Sequence, residues 1–188
     1  DMNLQTKITI AAPDFSIDYN SKLMMLGSCF AENMGGKFSY YKFDVDVNPC
    51  GIIYNPLSVA NVLRLIMEGK PFGKDDLRKV GEKWVSLYHH GAFSSTDPEE
   101  CLRRINERLE RATRELRSLD LLVITWGTAW VYKHVGENLV VSNCHKIPSQ
   151  EFERSRLSVE DIVKEYVELI GRLREINPGL RVLFTVSP

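Results

Sequence analysis

Residues 24–38 hold the segment with the clearest chemical potential, because Ser28 follows Gly27 where an apolar run gives way to helical spacing. A hydroxyl at such a strand-to-helix corner lies beside the unpaired N–H groups of the helix start, at the positive end of the helix dipole. Donors of this kind stabilise an oxyanion while a nucleophile attacks a carbonyl. Serine is also a favoured N-cap residue, so the pattern fits either a structural cap or a nucleophile.

Cys29, the next residue, offers a second nucleophile at the same helix start, where a thiol gains thiolate character. The corner favours Ser28 as the exposed residue, but the two assignments differ by one position and both stay open. Cys29, Cys50, Cys144 and His145 are also residue types that zinc accepts as ligands. Their spacing lacks the short ligand pairs of standard zinc modules, so the sequence predicts no metal and no other cofactor.

Four segments resemble motifs of one protein family. Residues 27–31 read Gly-Ser-Cys-Phe-Ala, the string after which the GSCFA family is named, and residues 48–56, 126–132 and 143–148 look like further motifs of that family. The family is related to the SGNH (GDSL-type) hydrolases, in which a serine just after the first strand attacks esters. The resemblance therefore implies a three-layer, flavodoxin-like α/β domain and an acyl or acetyl esterase that works through an acyl-enzyme on Ser28.

The resemblance also implies which groups hold the oxyanion. Gly51 matches the oxyanion-donor glycine after the second strand of SGNH-like enzymes, although a loop glycine with positive φ fits the position equally well. Thr128 lies where the superfamily commonly has Gly-x-Asn, so Ala129 replaces the oxyanion asparagine. Losing one such donor typically costs about a hundred- to a thousandfold in rate. The amide of Asn143 or the hydroxyl of Thr128 is expected to take that place.

His145 is the best general base that the sequence offers, because it lies in one of the motif segments. SGNH-like relatives carry their catalytic histidine after the last strand, and the sequence ends at Pro188. We therefore expect an incomplete C-terminus, a base beyond Pro188, and His145 as a residue that lines the pocket. The alternative function is a non-catalytic carbohydrate- or ligand-binding module on the same fold, which Ala129 and the absent terminal histidine favour.

The elements that position these residues alternate between strand and helix, which predicts one α/β domain over residues 1–188 with a mostly parallel sheet. The predicted elements are strands 22–26 and 43–47, helices 28–41 and 56–67, a loop 69–81, a strand 84–88, a helix 98–117, a strand 121–125, a hairpin around 136–137, a helix from 159 and a strand 180–186. Because ligands bind at the carboxyl ends of parallel strands, Ser28, Gly51 and Thr128 are expected to share one cleft. The segment at Asn143 is expected to fold back towards it.

Two of the predicted helices have clear burial patterns. After Asp97, apolar residues recur at spacings of three and four, and Glu–Arg pairs four apart predict a solvated face rather than a nucleic-acid site. After Ser158, the predicted buried side comprises Ile162, Val163, Tyr166, Val167, Ile170 and Leu173. Three further histidines are expected to be structural or exposed, namely His89, His90 and His134.

Bulk composition excludes several classes of function. The 188 residues are 44% hydrophobic with a formal net charge of −1, which predicts one core and neither nucleic acid nor an anionic membrane as partner. No apolar run approaches the roughly 18 residues of a membrane span. Residues 1–10 carry no secretion signal and the cysteines form no CxxC pair, which predicts a cytoplasmic location. The expected partner is a small-molecule ester or an acylated glycan, and the oligomeric state stays open.

Overall fold

A sheet of four parallel strands organises the chain. The computed structural model describes residues 14–186, so the predictions about residues 1–10 and about Pro188 and beyond lie outside the described range. The helices are α1 (Cys29–Tyr40), α2 (Pro56–Glu68), α3 (Pro98–Leu116) and α4 (Val159–Ile176). The strands are β1 (Lys22–Gly27), β2 (Asp44–Val47), β3 (Arg78–Val80), β4 (Lys83–Val85), β5 (Leu121–Trp126), β6 (Trp130–His134), β7 (Leu139–Val140), β8 (Phe152–Arg156) and β9 (Arg181–Val186).

The main sheet has the order β2-β1-β5-β9, and each neighbouring pair is parallel. Successive side chains of a strand point to opposite faces, so β1 and β5 contribute to two cores. Met24 and Ile124 pack with α2, α3 and α4 in the larger core, whereas Met25 and Val123 face α1 in the smaller one. The prediction of an α/β fold with a parallel sheet is confirmed.

Helix α1 covers only part of the sheet face on which it packs in the described chain. Beside it runs an apolar groove whose walls come from the segment before β1, from α1, and from β5 and β9, including Phe15, Met34, Val123 and Leu183. Leu183, on the edge strand β9, is 43% exposed. Among residues 14–186 no helix is both long and apolar enough to cross a membrane.

Helix starts follow the predicted capping chemistry. Asn55 caps α2 through its side chain, with Pro56 as the first helical residue, and Gly69 ends the helix in the left-handed conformation. Asp97 caps α3 in the same way before Pro98, so both helices begin where the sequence places them.

Two predictions about helix faces are wrong in part. Val163 and Val167 of α4 are exposed at 54% and 69%, and Leu169 is buried instead, because the helix is rotated so that Tyr166, Leu169 and Leu173 face the core. Arg108 of α3 is not on the solvated face. Its guanidinium reaches the buried Asp46 of β2, with an Nη2–Oδ1 distance of 2.6 Å, and also donates to the Val47 carbonyl. The buried carboxylate thereby gains a charged partner.

Two small antiparallel sheets flank the main one. Strands β3 and β4 pair with each other, so the predicted loop 69–81 ends in a strand. The predicted hairpin is present as β6 and β7, and β8 pairs with the other side of β6. Strand β8 is absent from the sequence prediction because its residues, Phe-Glu-Arg-Ser-Arg, are mostly exposed and show no apolar alternation.

Candidate active site at the Ser28 corner

Ser28 is the N-cap of α1, directly after the central strand β1. Its backbone is extended, with φ −69° and ψ 179°, and its Oγ accepts the Phe30 N–H at a long 3.4 Å. The residue is buried at 3% exposure. The hydroxyl thus lies at the positive end of α1 with a weak cap hydrogen bond, and its own proton has no acceptor among the hydrogen bonds of residues 14–186.

Asn48 clamps this corner from the end of β2. Its Oδ1 accepts the Gly27 N–H at 2.9 Å, its Nδ2 donates to Glu32 of α1 at 2.7 Å, and its backbone N–H donates to the Met25 carbonyl at 2.9 Å. The residue is buried and has a φ of 43°, a conformation that asparagine tolerates better than most residues. One side chain therefore joins β1, β2 and α1 around Ser28.

Strand β5 closes the corner from the other side. The Ser28 N–H donates to the Thr125 carbonyl at 3.1 Å, and a Cβ on Gly27 would overlap that same carbonyl oxygen. Gly27 also has a φ of 129°, so this close backbone approach needs glycine. The Thr125 hydroxyl is joined to Thr185 of β9 at 2.8 Å, which extends the contact to the sheet edge.

Gly51 lies at the same edge of the sheet, in the loop that follows β2. Its N–H donates to the Asn48 carbonyl at 2.8 Å, its φ is 83°, and a Cβ would overlap the Cβ of His90. The loop is tied to the corner because Ile53 donates to the Gly27 carbonyl at 2.9 Å. The positive φ explains the glycine, and the N–H expected to serve the oxyanion is engaged within the loop in this conformation.

The loop after β5 completes the corner. The N–H groups of Gly127 and Thr128 both donate to the Tyr54 carbonyl, at 2.8 and 3.2 Å. A Cβ on Gly127 would lie 3.0 Å from the Tyr54 ring and 3.3 Å from the Ser28 Cβ, so Gly127 is packed directly against both. The Thr128 Oγ1 accepts the Trp130 N–H at 3.1 Å, which leaves the hydroxyl proton of Thr128 free to be donated. We call the set Gly27, Ser28, Asn48, Gly51 and Gly127 the Ser28 corner.

Asn143 and His145 lie on a neighbouring part of the surface. They line a groove together with Lys83 and Ser94, and Ser28 is not among its lining residues. The Asn143 Oδ1 accepts the backbone N–H of His145 at 2.7 Å. No hydrogen bond of residues 14–186 joins either side chain to Ser28. The structure therefore brings Ser28, Gly51 and Thr128 to one edge and holds the fourth motif segment beside it.

The His145 imidazole is held by the main chain. Its Nε2 lies 2.8 Å from the Ser86 carbonyl oxygen, and because a carbonyl only accepts, Nε2 carries the proton and Nδ1 is the basic nitrogen. Burial lowers the pKa of His145, the hydrogen bonds to the Ser86 and His89 backbone act in the opposite sense, and the charge of His90 lowers it further. His145 is consequently neutral near pH 7.

The other histidines occupy structural positions, as the sequence predicts. His89 is 1% exposed, contacts the Phe72 and Phe93 rings and pairs with the Ser86 hydroxyl at 2.8 Å; burial lowers the pKa of His89 to about 3. His134 is also buried, and its Nε2 lies 3.2 Å from Glu151. His90 is exposed and packs on Gly51, and its charge lowers the pKa of the nearby His145.

The cysteines do not form a metal site. Residues 14–186 contain no group of three or more His, Cys, Asp and Glu side chains arranged to hold a metal ion, so the zinc arrangement considered from the sequence is not formed. All four thiols are free, and burial raises the pKa of Cys50 to about 12. The prediction that the corner exposes Ser28 rather than Cys29 is wrong, because Ser28 is 3% exposed whereas Cys29 is exposed. Cys29 stays the alternative nucleophile.

Comparison with known proteins gives one family. The model described as GSCFA family matches residues 22–188. The chain belongs to the GSCFA family. No curated protein and no solved structure gives a significant match. In this GSCFA chain, three of the four motif segments meet at the Ser28 corner, and the fourth contacts the turn at Ser86 through the His145 imidazole, whose Nε2 donates to the Ser86 carbonyl at 2.8 Å.

Asn48 belongs to one of the motif segments, but sequence reasoning gives it no role, although it makes the most cross-element hydrogen bonds at the corner. Its position carried a usable signal, because the Asn-Pro pair after a strand marks a turn and asparagine tolerates positive φ better than most residues. The pairing of its side chain with Gly27 and Glu32 depends on how β1 and β2 are aligned, which the sequence pattern alone does not specify.

Proposed function

We propose that this GSCFA protein is an acyl hydrolase of the SGNH-like type with Ser28 as its nucleophile. The observation that carries the proposal is the Ser28 corner, where a weakly bonded serine caps a helix at the carboxyl end of the central strand. Ligand sites of open α/β sheets lie at such positions. The order β2-β1-β5-β9 supports a flavodoxin-like relation, since it corresponds to the first four strands of the 2-1-3-4-5 arrangement.

In the proposed reaction, the Ser28 Oγ attacks the ester carbonyl carbon while its proton passes to a base, which gives a tetrahedral oxyanion. The bond from that carbon to the alkoxy oxygen then breaks, and the alcohol leaves with the proton. Water attacks the acyl-enzyme in the same way, releases the carboxylic acid and restores Ser28. The substrate is a small ester or an acylated glycan, and no cofactor takes part.

The oxyanion requires donors that the fold has not already used. The N–H groups of Ser28 and Gly51 both donate hydrogen bonds within the fold. The first oxyanion donor is therefore the backbone N–H of Cys29, which has no acceptor among residues 14–186 and lies at the positive end of α1. The free proton of the Thr128 hydroxyl, or the Asn143 amide, is the second donor. Rotation of the Gly51 peptide would add a third.

His145 is the proposed base within the described residues. Its lowered pKa keeps Nδ1 unprotonated near neutral pH, as a general base requires. To reach Ser28, the 143–148 segment has to move out of the groove that it lines with Lys83 and Ser94. The expectation of a base beyond Pro188 stays a prediction. The four free thiols are consistent with the further proposal that the protein works in the cytoplasm.

A binding module without turnover is the second candidate function. The engaged N–H groups of Ser28 and Gly51, the 3% exposure of Ser28 and the hydrogen bond that holds His145 on Ser86 all favour it. In that case Ser28 serves only as a helix cap, and a ligand occupies the surface next to it.

A serine-directed probe separates the two functions. With a fluorophosphonate, we expect covalent labelling at Ser28 that disappears in Ser28→Ala and persists in Cys29→Ala, together with p-nitrophenyl acetate hydrolysis above the Ser28→Ala level. Near-ultraviolet circular dichroism establishes that both variants are folded. An unlabelled Ser28 in the presence of a reactive Cys29 would transfer the nucleophile role to the thiol, and inactivity of all three proteins would favour the binding module.

A further inference from the structure

An exposed aromatic and cationic surface lies next to the Ser28 corner, on the small sheet formed by β6 and β8. Register pairs Trp130 with Arg156 and Tyr132 with Arg154 across the two strands, so these four side chains share one face. Val131, which alternates with them, is buried on the opposite face. Trp130 and Tyr132 are 39% and 41% exposed, and both arginines are exposed as well.

The guanidinium of Arg154 is positioned by the two rings. It lies 3.9 Å from the centroid of Trp130 and 5.9 Å from that of Tyr132. Cation–π contact of this kind uses the flat face of the guanidinium, whereas its N–H groups lie in the plane and stay available at the edge. Arg154 can therefore donate hydrogen bonds to an acceptor that lies in the plane of its guanidinium.

These arginines have no acidic partner in the described part, unlike the six arginines there that form ion pairs. Arg103, Arg104 and Arg111 of α3 each pair with a glutamate, whereas neither Arg154 nor Arg156 takes part in an ion pair of residues 14–186. Planar guanidinium groups bind carboxylates through paired N–H···O bonds. A face with two such groups and two aromatic rings suits a ligand that has both a carboxylate and an apolar C–H surface.

The surface is within reach of the proposed nucleophile. Gly127 packs against Ser28, and Trp130 is three residues further along, so its Cα lies within about 11 Å of the Gly127 Cα. A disaccharide has a comparable length. Pyranose rings present a C–H face that packs on tryptophan and tyrosine, and uronic acids add the carboxylate.

We propose that Trp130, Tyr132, Arg154 and Arg156 form a subsite for a uronic-acid unit of an acidic glycan. The subsite deepens the proposed function, on which it rests for the assignment of the acyl group to Ser28. A glycan bound here presents an O-acyl group from a neighbouring sugar to the Ser28 corner. The net charge of −1 belongs to the whole chain and is compatible with a local cationic face.

The test is a titration of the Ser28→Ala protein with a galacturonate oligosaccharide and with a neutral galactose oligosaccharide of the same length. We expect binding of the acidic ligand that weakens at higher ionic strength, and at least about tenfold weaker binding by Arg154→Gln and by Trp130→Ala. Arg154→Lys keeps the charge but loses the planar guanidinium, so its affinity should lie between those of Arg154→Gln and the parent. Arg104→Gln and Tyr40→Ala are the matched exposed controls and should retain the parent affinity.

Equal affinity for the neutral ligand, or unchanged affinity in Arg154→Gln, would overturn the subsite. Tighter binding of a single-stranded oligonucleotide than of the galacturonate ligand would also overturn it. Because the titration uses Ser28→Ala, it is independent of turnover. Binding without esterase activity in the parent protein would contradict the proposed hydrolase alone, whereas esterase activity without binding would contradict the subsite alone.

Discussion

Asn48→Gly tests whether the asparagine clamp maintains the Ser28 corner. Glycine accepts the φ of 43°, so the substitution removes the side-chain hydrogen bonds without straining the backbone. The buried Gly27 N–H loses its acceptor at 2.9 Å, which should cost about 1–3 kcal/mol of unfolding free energy. The second lost bond, to the exposed Glu32, should add little because water replaces the amide.

Asn48→Ala and Asn48→Asp separate the two parts of this effect. Alanine adds about 1–2 kcal/mol of left-handed strain and regains about 0.4–1 kcal/mol through the less flexible unfolded chain, so it should be similar to or somewhat less stable than the glycine variant. Aspartate keeps the acceptor for Gly27 but places a carboxylate against Glu32. Protonation of the introduced aspartate relieves that repulsion, so the Asn48→Asp deficit should shrink as the pH falls towards about 4.

Urea unfolding followed by circular dichroism measures these differences, with Asn33→Ala on the exposed side of α1 as the control. The control should lie within about 0.5 kcal/mol of the parent protein. If Asn48→Gly were as stable as the control, the hydrogen bond to Gly27 would contribute nothing measurable, and the account of the corner as a clamped structure would be wrong. Fluorophosphonate labelling of the same variants then reports whether a loosened corner still reacts.

Three further predictions concern other parts of the fold. His89 has a folded-state pKa of about 3, below its ordinary value of 6.5, so the stability that its neutral form contributes is fully present above pH 6.5. The free energy of unfolding should fall towards pH 3 by up to about 1.4 kcal/mol per pH unit. Urea midpoints should show a shallower loss in His89→Gln, and an equally steep loss would refute the assignment. Gly51→Ala should cost more than about 2 kcal/mol of unfolding free energy because the added Cβ overlaps His90. The cost should shrink when His90→Gly is added, and a double-mutant cycle measures that difference. Arg108→Leu should destabilise the protein by about 3 kcal/mol because it leaves the buried Asp46 without its partner. Arg104→Leu, at an exposed ion pair, should cost below about 1 kcal/mol. Equal losses of stability in thermal unfolding would contradict the difference in burial.

The sequence predicts those features that depend on local chemistry. The cap at Ser28, the Asn55-Pro56 and Asp97-Pro98 helix starts and the buried strand from Leu121 are all encoded within a few neighbouring residues, and the structure has each of them. The parallel order of the strands follows from their alternation with helices.

The features that sequence reasoning missed depend on contacts between distant residues. Whether the Gly51 N–H is free depends on the turn that Asn48 makes, and the partner of Arg108 depends on how α3 lies across β2. The rotation of α4 that exposes Val163 is set by the fit of Tyr166 against the Pro56 carbonyl, at 2.8 Å, and against Trp126. A repeating pattern of apolar residues does not encode such pairings.

The hydrogen bonds of the Ser28 corner also imply an order of assembly during folding. Gly27 and Asn48 are 21 residues apart, so the clamp closes a short loop and can form early. The contact between β1 and β5 closes a much longer loop, as the Lys22–Asp120 hydrogen bond across 98 residues shows. On a ribosome, β5 emerges only after the clamp segment, and Ser28 gains its bond to Thr125 when that strand docks. In a nascent or partly folded chain, Ser28 therefore lacks its contact with β5. Any reactivity of the hydroxyl should develop with the slow, non-local step of folding, when β5 docks.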